Sequence, residues 1–221
     1  MKRKIQRLEM TEGNYAACVS DPPTKTQTRR RMRDQPPPET HRMDPEPFGL
    51  FGAYERSGIR IPGTYKPRLR VGDFAALTLP HWRWVGFGTL HIWDQITGLE
   101  RIEGEGVVAE HALPPNVAFK RKAARYMPVW ACPDRIEIVG VRAERLGEIT
   151  WNDAIEEGCY VSGHMDPDYL WRWPGQPREA DGYASPLEAY AREWEALHGA
   201  GAWDPDEWVW VRDFKLLEGK P

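Results

Sequence analysis

Long hydrophobic runs are missing from this sequence. No stretch of about 18 apolar residues occurs, so no transmembrane helix is expected. The N-terminus, "MKRKIQRLEM", starts basic, but no apolar core of about 7–15 residues follows it, so a secretory signal is not expected either. Cysteine is scarce. Cys18, Cys132 and Cys159 are odd in number, far apart and never in a CxxC pair, which argues against disulfides and structural zinc. The six histidines show no HxH or HExxH spacing, so no histidine metal site is expected. GxGxxG, P-loop and GxSxG elements are also lacking. These absences point to a chain at home in a reducing cytoplasm, with no metal, no cofactor and no membrane partner.

What is present is a globular balance: 221 residues, 29% charged and 41% hydrophobic, which suits one domain with insertions. The net charge of -3 does not by itself call for nucleic acid. The basic residues are clustered, however, in "RRRMR" at 29–33, "RLR" at 68–70 and "KRKAAR" at 120–125. A small basic groove on an acidic protein can still bind a polyanion. Tryptophan is abundant, with 11 residues, several in alternation: Trp82 and Trp84, Trp171 and Trp173, Trp208 and Trp210. Most suit half-buried sheet surfaces. A minority, with Trp82 and Trp84 as candidates, can serve as base-stacking platforms.

The pattern predicts a weakly amphipathic helix over 5–20 and an exposed, proline-rich loop over 34–48. A turn at Gly72-Asp73 leads into an apolar strand ending near 79, and 80–125 reads as short strand-like pieces. "DRIEIVGVRAERL" reads as a sheet strand. "TWNDAIEEGC" reads as a helix capped by Thr150, with Asp153 three residues on and Gly158 at its end. Residues 160–184 read as a Trp- and Pro-rich loop. "SPLEAYAREWEALHG" is a helix with Ser185 as cap, Pro186 at its first position and Gly199 as its stop. Its apolar stripe is Leu187, Tyr190, Trp194 and Leu197. In "EWVWVRDFKLL", Trp208, Trp210 and Phe214 share one strand face and Val209 and Val211 the other. Strands and short helices without a βαβ repeat indicate an α+β fold around a small, curved sheet or barrel.

Two features carry candidate chemistry. The first is "TKTQTRRRM", where Lys25 and Thr28 precede three consecutive arginines, Arg29, Arg30 and Arg31. Residues three apart face opposite ways in a strand, so Lys25 and Thr28 cooperate only if the chain bends. Neighbouring positive charge would lower the lysine pKa and let neutral Lys25 activate the Thr28 hydroxyl. The plainer reading is a solvated basic turn. The second feature is Glu157, an acid where a helix dipole favours a cation. It either has a raised pKa or pairs with a cation elsewhere; a solvated acidic end is the plainer alternative.

Four ordered blocks, "TKTQTRR", "VGDFAAL", "YMPVWACPDRIEIVGVRAERLGEITWNDAIEEG" and "WEALHGAGAWDPDEWVWVRDFKLL", resemble phage and prophage proteins carrying an ASCH domain of the PUA-like superfamily. The resemblance covers about residues 10–217. It implies one domain over 1–221, a small β-barrel flanked by helices, with variable insertions at about 35–65, 85–120 and 160–184. The wider G-x-K-x-x-E-x-R pattern falls on Pro23, Lys25, Thr28 and Arg30, so the glycine is lost and threonine replaces the acid. Threonine there also occurs in small ASCH amidohydrolases that deacylate N4-acetylcytidine. Their site implies Thr28 as nucleophile, Lys25 as base and Glu157 as the assisting acid. Many ASCH proteins are instead regarded as binding modules for RNA, single-stranded nucleic acid or a modified nucleoside. That reading places Arg29, Arg30, Arg31 and Arg135 on the ligand, with Trp82 and Trp84 stacking. A metal-independent ribonuclease is the third alternative.

Overall fold

Two long strands organise the molecule. β12 (Arg135–Arg145) and β15 (Trp208–Leu216) pair antiparallel along nearly their whole length, from Ile136 opposite Leu216 to Arg145 opposite Trp208. A bulge between Ile138 and Gly140 adjusts the register. The computed structural model describes residues 5–20, 23–86, 89–95, 97–110, 120–165, 168–176 and 182–217. The start "MKRK" and all of 111–119 therefore lie outside the described residues. The class is α+β, with strands dominating.

The central sheet has the order β1-β6-β12-β15-β2. It comprises β1 (Gln6–Glu9), β6 (Phe74–Thr78), β12, β15 and β2 (Gln27–Arg31). Only β1 with β6 is parallel; the other pairs are antiparallel. Among the described residues no sheet closes into a barrel, and this one ends at β1 and β2. A second sheet contains β7 (His81–Gly86), β8 (Thr89–Trp93), β9 (Leu99–Ile102), β10 (Gly106–Glu110) and β11 (Lys120–Lys122). A third contains β3 (Arg42–Glu46), β4 (Leu50–Tyr54) and β5 (Arg60–Tyr65). A hairpin of β13 (Tyr160–Met165) and β14 (Asp168–Arg172) forms its own two-stranded sheet. The helices are α1 (Glu12–Val19), α2 (Trp151–Glu156) and α3 (Pro186–His198). No described helix is long and apolar enough to cross a membrane.

The alternation in β15 divides the core. Val209 and Val211 pack with Leu146, Ala154, Tyr190 and Trp194 beneath α2 and α3. Trp208 and Trp210 pack with Met43, Phe51 and Ile61 of the three-stranded sheet. Phe214 joins Leu8, Leu77, Ile136 and Ile138 in the largest cluster. The capping signals read from sequence are realised. The Thr150 hydroxyl accepts from the Asp153 N–H, the Asp153 carboxylate accepts from the Thr150 N–H, and the Ser185 hydroxyl accepts from the Glu188 N–H.

Three segments differ from expectation, each for a pairing reason. The predicted helix over 5–20 is β1 followed by α1. Leu8 is buried in the ladder with β6, and Thr11 caps a helix that starts only after it. Part of the predicted loop over 34–48 is β3, an edge strand, where Pro45 loses no ladder bond that a central strand would need. Within 160–184 the hairpin replaces an expected loop, extended by a bridge between Trp171 and Tyr183.

Gly158 stops α2 with φ +102°. A Cβ there would lie 2.8 Å from Pro174 Cγ and 3.3 Å from Lys25 Cβ. Gly158→Ala is therefore expected to destabilise the fold by roughly 1–3 kcal/mol, read from urea unfolding.

Candidate functional site

Lys25 precedes β2, so strand alternation does not govern its direction. Its backbone N–H and that of Thr24 both donate to the Ala17 carbonyl of α1, each at 3.0 Å. The Thr26 N–H donates to the Glu156 carbonyl of α2 at 2.9 Å. The chain is thus pinned between two helix ends, and Lys25 is 3% exposed. Its Nζ donates to the Glu157 main-chain carbonyl at 2.6 Å and to Glu157 Oε2 at 2.8 Å. One ammonium therefore satisfies a carbonyl at the helix end and neutralises the acid that the dipole disfavours. Glu157 takes the second alternative open from sequence, pairing with a distant cation.

This environment reverses the expected direction of the Lys25 pKa. Burial pulls it down, but the Glu157 and Glu193 carboxylates and the Glu157 hydrogen bond outweigh burial and hold it above its ordinary value. Lys25 is therefore an ammonium, not a neutral base. The three arginines expected to depress it are directed elsewhere. Arg29 is 3% exposed and reaches Glu157 at 3.2 Å, Glu144 at 3.1 Å and Asp153 at 3.4 Å. It was expected on the ligand; it instead ties α2 to the sheet. Arg31 pairs with Glu207, and Arg30 donates to the Glu9 carbonyl at 2.6 Å.

Lys25, Thr28, Arg29, Arg30 and Glu157 line one pocket of about 210 Å³. Thr28 is buried, and among the described residues its hydroxyl bonds to neither Lys25 nor Glu157. The pocket brings the three proposed site residues together without a preformed Thr28–Lys25 hydrogen bond. Trp82, Trp84 and Arg135 do not line it. Trp82 packs edge-on to Trp93 and under Arg121 in the second sheet, Trp84 lies against His91, and Arg135 pairs with Ala76 in the ladder.

Sequence reasoning missed Asn14, Glu193 and Trp194 in the same pocket. Glu193 is 4% exposed on α3, where Tyr190 and Trp194 are also buried. Its Oε1 accepts from Asn14 Nδ2 at 2.7 Å; among the described residues its Oε2 and the Asn14 Oδ1 are buried without a partner. The legible signal was a carboxylate inside an apolar helical stripe. Burial pushes the Glu193 carboxyl up to about 7, against the pull of Lys25 and the Asn14 hydrogen bond. Among the described residues no group of histidine, cysteine and carboxylate side chains suits a metal ion.

The raised Glu193 value means the folded state holds that proton more tightly than the unfolded chain. The associated stability is full below about pH 4 and is lost as pH rises towards about 7. Glu193→Gln keeps an acceptor for Asn14 and cannot ionise. It is expected to match the parent near pH 4 and exceed it at pH 8 by roughly 1–3 kcal/mol, with unfolding measured across that range. Lys25→Met leaves Glu157 buried with Arg29 alone, and should cost about 3–5 kcal/mol in the same measurement.

Comparison with known proteins finds no family model, no curated protein and no solved structure that matches this chain.

Proposed function

We propose that the chain is an ASCH-type protein of PUA-like fold that binds RNA, single-stranded nucleic acid or a modified nucleoside, with a base in the Lys25 pocket. The observation that carries this reading is the unmatched polarity of that pocket. Lys25 has three N–H donors and, among the described residues, makes two bonds with them, both to Glu157. Among the described residues Glu193 Oε2 and Asn14 Oδ1 have no partner, and Trp194 and Tyr190 supply aromatic wall. A donor, acceptors and an aromatic surface in a pocket of about 210 Å³ suit a single heterocycle. In the PUA-like reading the central sheet is the part of the barrel that carries the cleft on its β2 edge.

Amidohydrolysis of an N-acylated pyrimidine nucleoside is the second reading, favoured because Lys25, Thr28 and Glu157 share the pocket. Thr28 would attack the acyl carbon. Lys25, as an ammonium, would polarise the acyl oxygen and not take the proton. The Thr28 proton would pass to a pocket carboxylate, for which Glu193 has an oxygen without a partner among the described residues and a near-neutral pKa, and from there to the departing amine as the acyl C–N bond breaks; water would then hydrolyse the acyl-Thr28 ester, releasing the carboxylic acid and restoring Thr28.

Titration with cytidine, N4-acetylcytidine and short RNA at two salt concentrations tests the first reading. Binding that weakens with salt for RNA is expected, with Arg30→Ala weakening it and leaving the fold intact. No binding to any of these probes would end it. Release of cytidine from N4-acetylcytidine tests the second. Thr28→Ala loses no hydrogen bond seen in the fold, so it should unfold within about 1 kcal/mol of the parent while activity drops at least about a hundredfold. Hydrolysis unchanged by Thr28→Ala would exclude the mechanism.

A further inference from the structure

Among the described residues, none is a counter-ion to the buried Arg212. It projects from the middle of β15 and is 4% exposed. Among the described residues its guanidinium makes no ion pair or hydrogen bond, and its Nε is buried without an acceptor. The other buried arginines are treated differently. Arg29 contacts three carboxylates, and Arg101 contacts Asp94 at 2.6 Å. A fold that pairs those arginines leaves this one open, although a buried unpaired guanidinium is costly.

Register explains what surrounds it. Arg212 stands opposite Thr28 on β2, and Trp210 stands opposite Arg30. Opposite residues share a sheet face, so Arg212 and Arg30 project to the same side. Arg68 approaches from the segment after β5. Burial, with the nearby Arg30 and Arg68 charges, lowers the Arg212 pKa to about 10, which keeps it cationic at neutral pH. The Nε of Arg30 is also buried without a partner.

These side chains open into a groove of about 770 Å³ beside the Lys25 pocket. Among the described residues seven cationic side chains line it, against the carboxylates of Glu9 and Asp34. Neither carboxylate forms an ion pair with Arg212, Arg30 or Arg68 among the described residues. Guanidinium groups with unused N–H donors, converging where water is partly excluded, match the oxygens of a phosphate. Arg30 lines both the groove and the Lys25 pocket.

We infer that Arg212, Arg30 and Arg68 form a phosphate-binding site that takes the phosphate attached to the nucleoside whose base enters the Lys25 pocket. The phosphate part stands on the unpaired arginines; the link to a nucleoside rests on the function proposed above. The site holds the ligand's charge, and the pocket reads its base. The unpaired Arg212 is retained at a cost to the unliganded fold that the phosphate offsets.

Thermal unfolding of the full chain at fixed ionic strength, with chloride exchanged for inorganic phosphate, tests the site by itself. Saturating phosphate should raise the melting temperature by about 5–10 °C. Arg212→Met should melt at or above the parent in chloride and lose the phosphate response, a combination that a purely structural arginine would not give. If Arg212→Met does not fold, Arg68→Ala, at an exposed position, should weaken phosphate binding at least about threefold. A parent that responds equally to phosphate and chloride, or an Arg212→Met variant that keeps the full response, overturns the site. In a second arm, cytidine 5′- and 3′-monophosphates are titrated against cytidine. At least one monophosphate should bind about tenfold tighter than cytidine to the parent, and no tighter to Arg212→Met. Cytidine binding with no gain from phosphate overturns this inference and leaves the base pocket standing. A phosphate response with no gain from the nucleoside keeps the anion site and removes its link to the base pocket.

Discussion

The contact of Lys25 with Glu157 is the constraint on which the site depends. A lysine ahead of an edge strand is clamped between the ends of α1 and α2, and its ammonium binds both the carbonyl and the carboxylate of one residue. Glu157 in turn holds Arg29, which reaches Glu144 on β12 and Asp153 on α2. Helix, edge strand and central strands are thus joined by a single buried charge network. Each charge in it is tolerable only because the others are present. The pocket wall is as rigid as that network, which suits a site that must hold polar groups in fixed places.

Arrangement of charge separates structural arginines from ligand-facing ones better than position in sequence does. Arg29, Arg30 and Arg31 are consecutive, yet the first is sealed among carboxylates, the second borders two cavities and the third pairs with Glu207. Alternation along β2 accounts for this. Arg29 and Arg31 face the side of Val209 and Val211, whereas Thr28 and Arg30 face the side of Trp210 and Arg212. The run "RRR" is therefore two surfaces interleaved: Arg29 is sealed among carboxylates, Arg30 reaches the groove on the face of Arg212, and Arg31 borders the groove from its pairing with Glu207.

Local signals were legible wherever hydrogen bonding is local. The Thr150 and Ser185 caps, the Gly158 stop and the strand alternation of "EWVWVRDFKLL" all stand in the structure as read. Expectations failed where pairing across the chain decides conformation. Leu8 joins a strand because β6 offers it a ladder, and Pro45 sits in a strand because that strand is an edge. The expected lysine pKa failed for the same reason. It was argued from neighbours in sequence, while the groups that set it are Glu157 and Glu193, far along the chain.

The sequence by itself determined the periodicities, the caps and the residue types of the candidate site, because these follow from side-chain chemistry and spacings of a few residues. It singled out Lys25, Thr28 and Glu157 as unusual where they stand. Only the tertiary structure decided which charges meet. It paired Lys25 with Glu157, brought Asn14 and Glu193 into their pocket, and left Arg212 without an anion among the described residues. Coulomb energies depend on distances in space and on exclusion of water, and neither quantity is written in the order of residues.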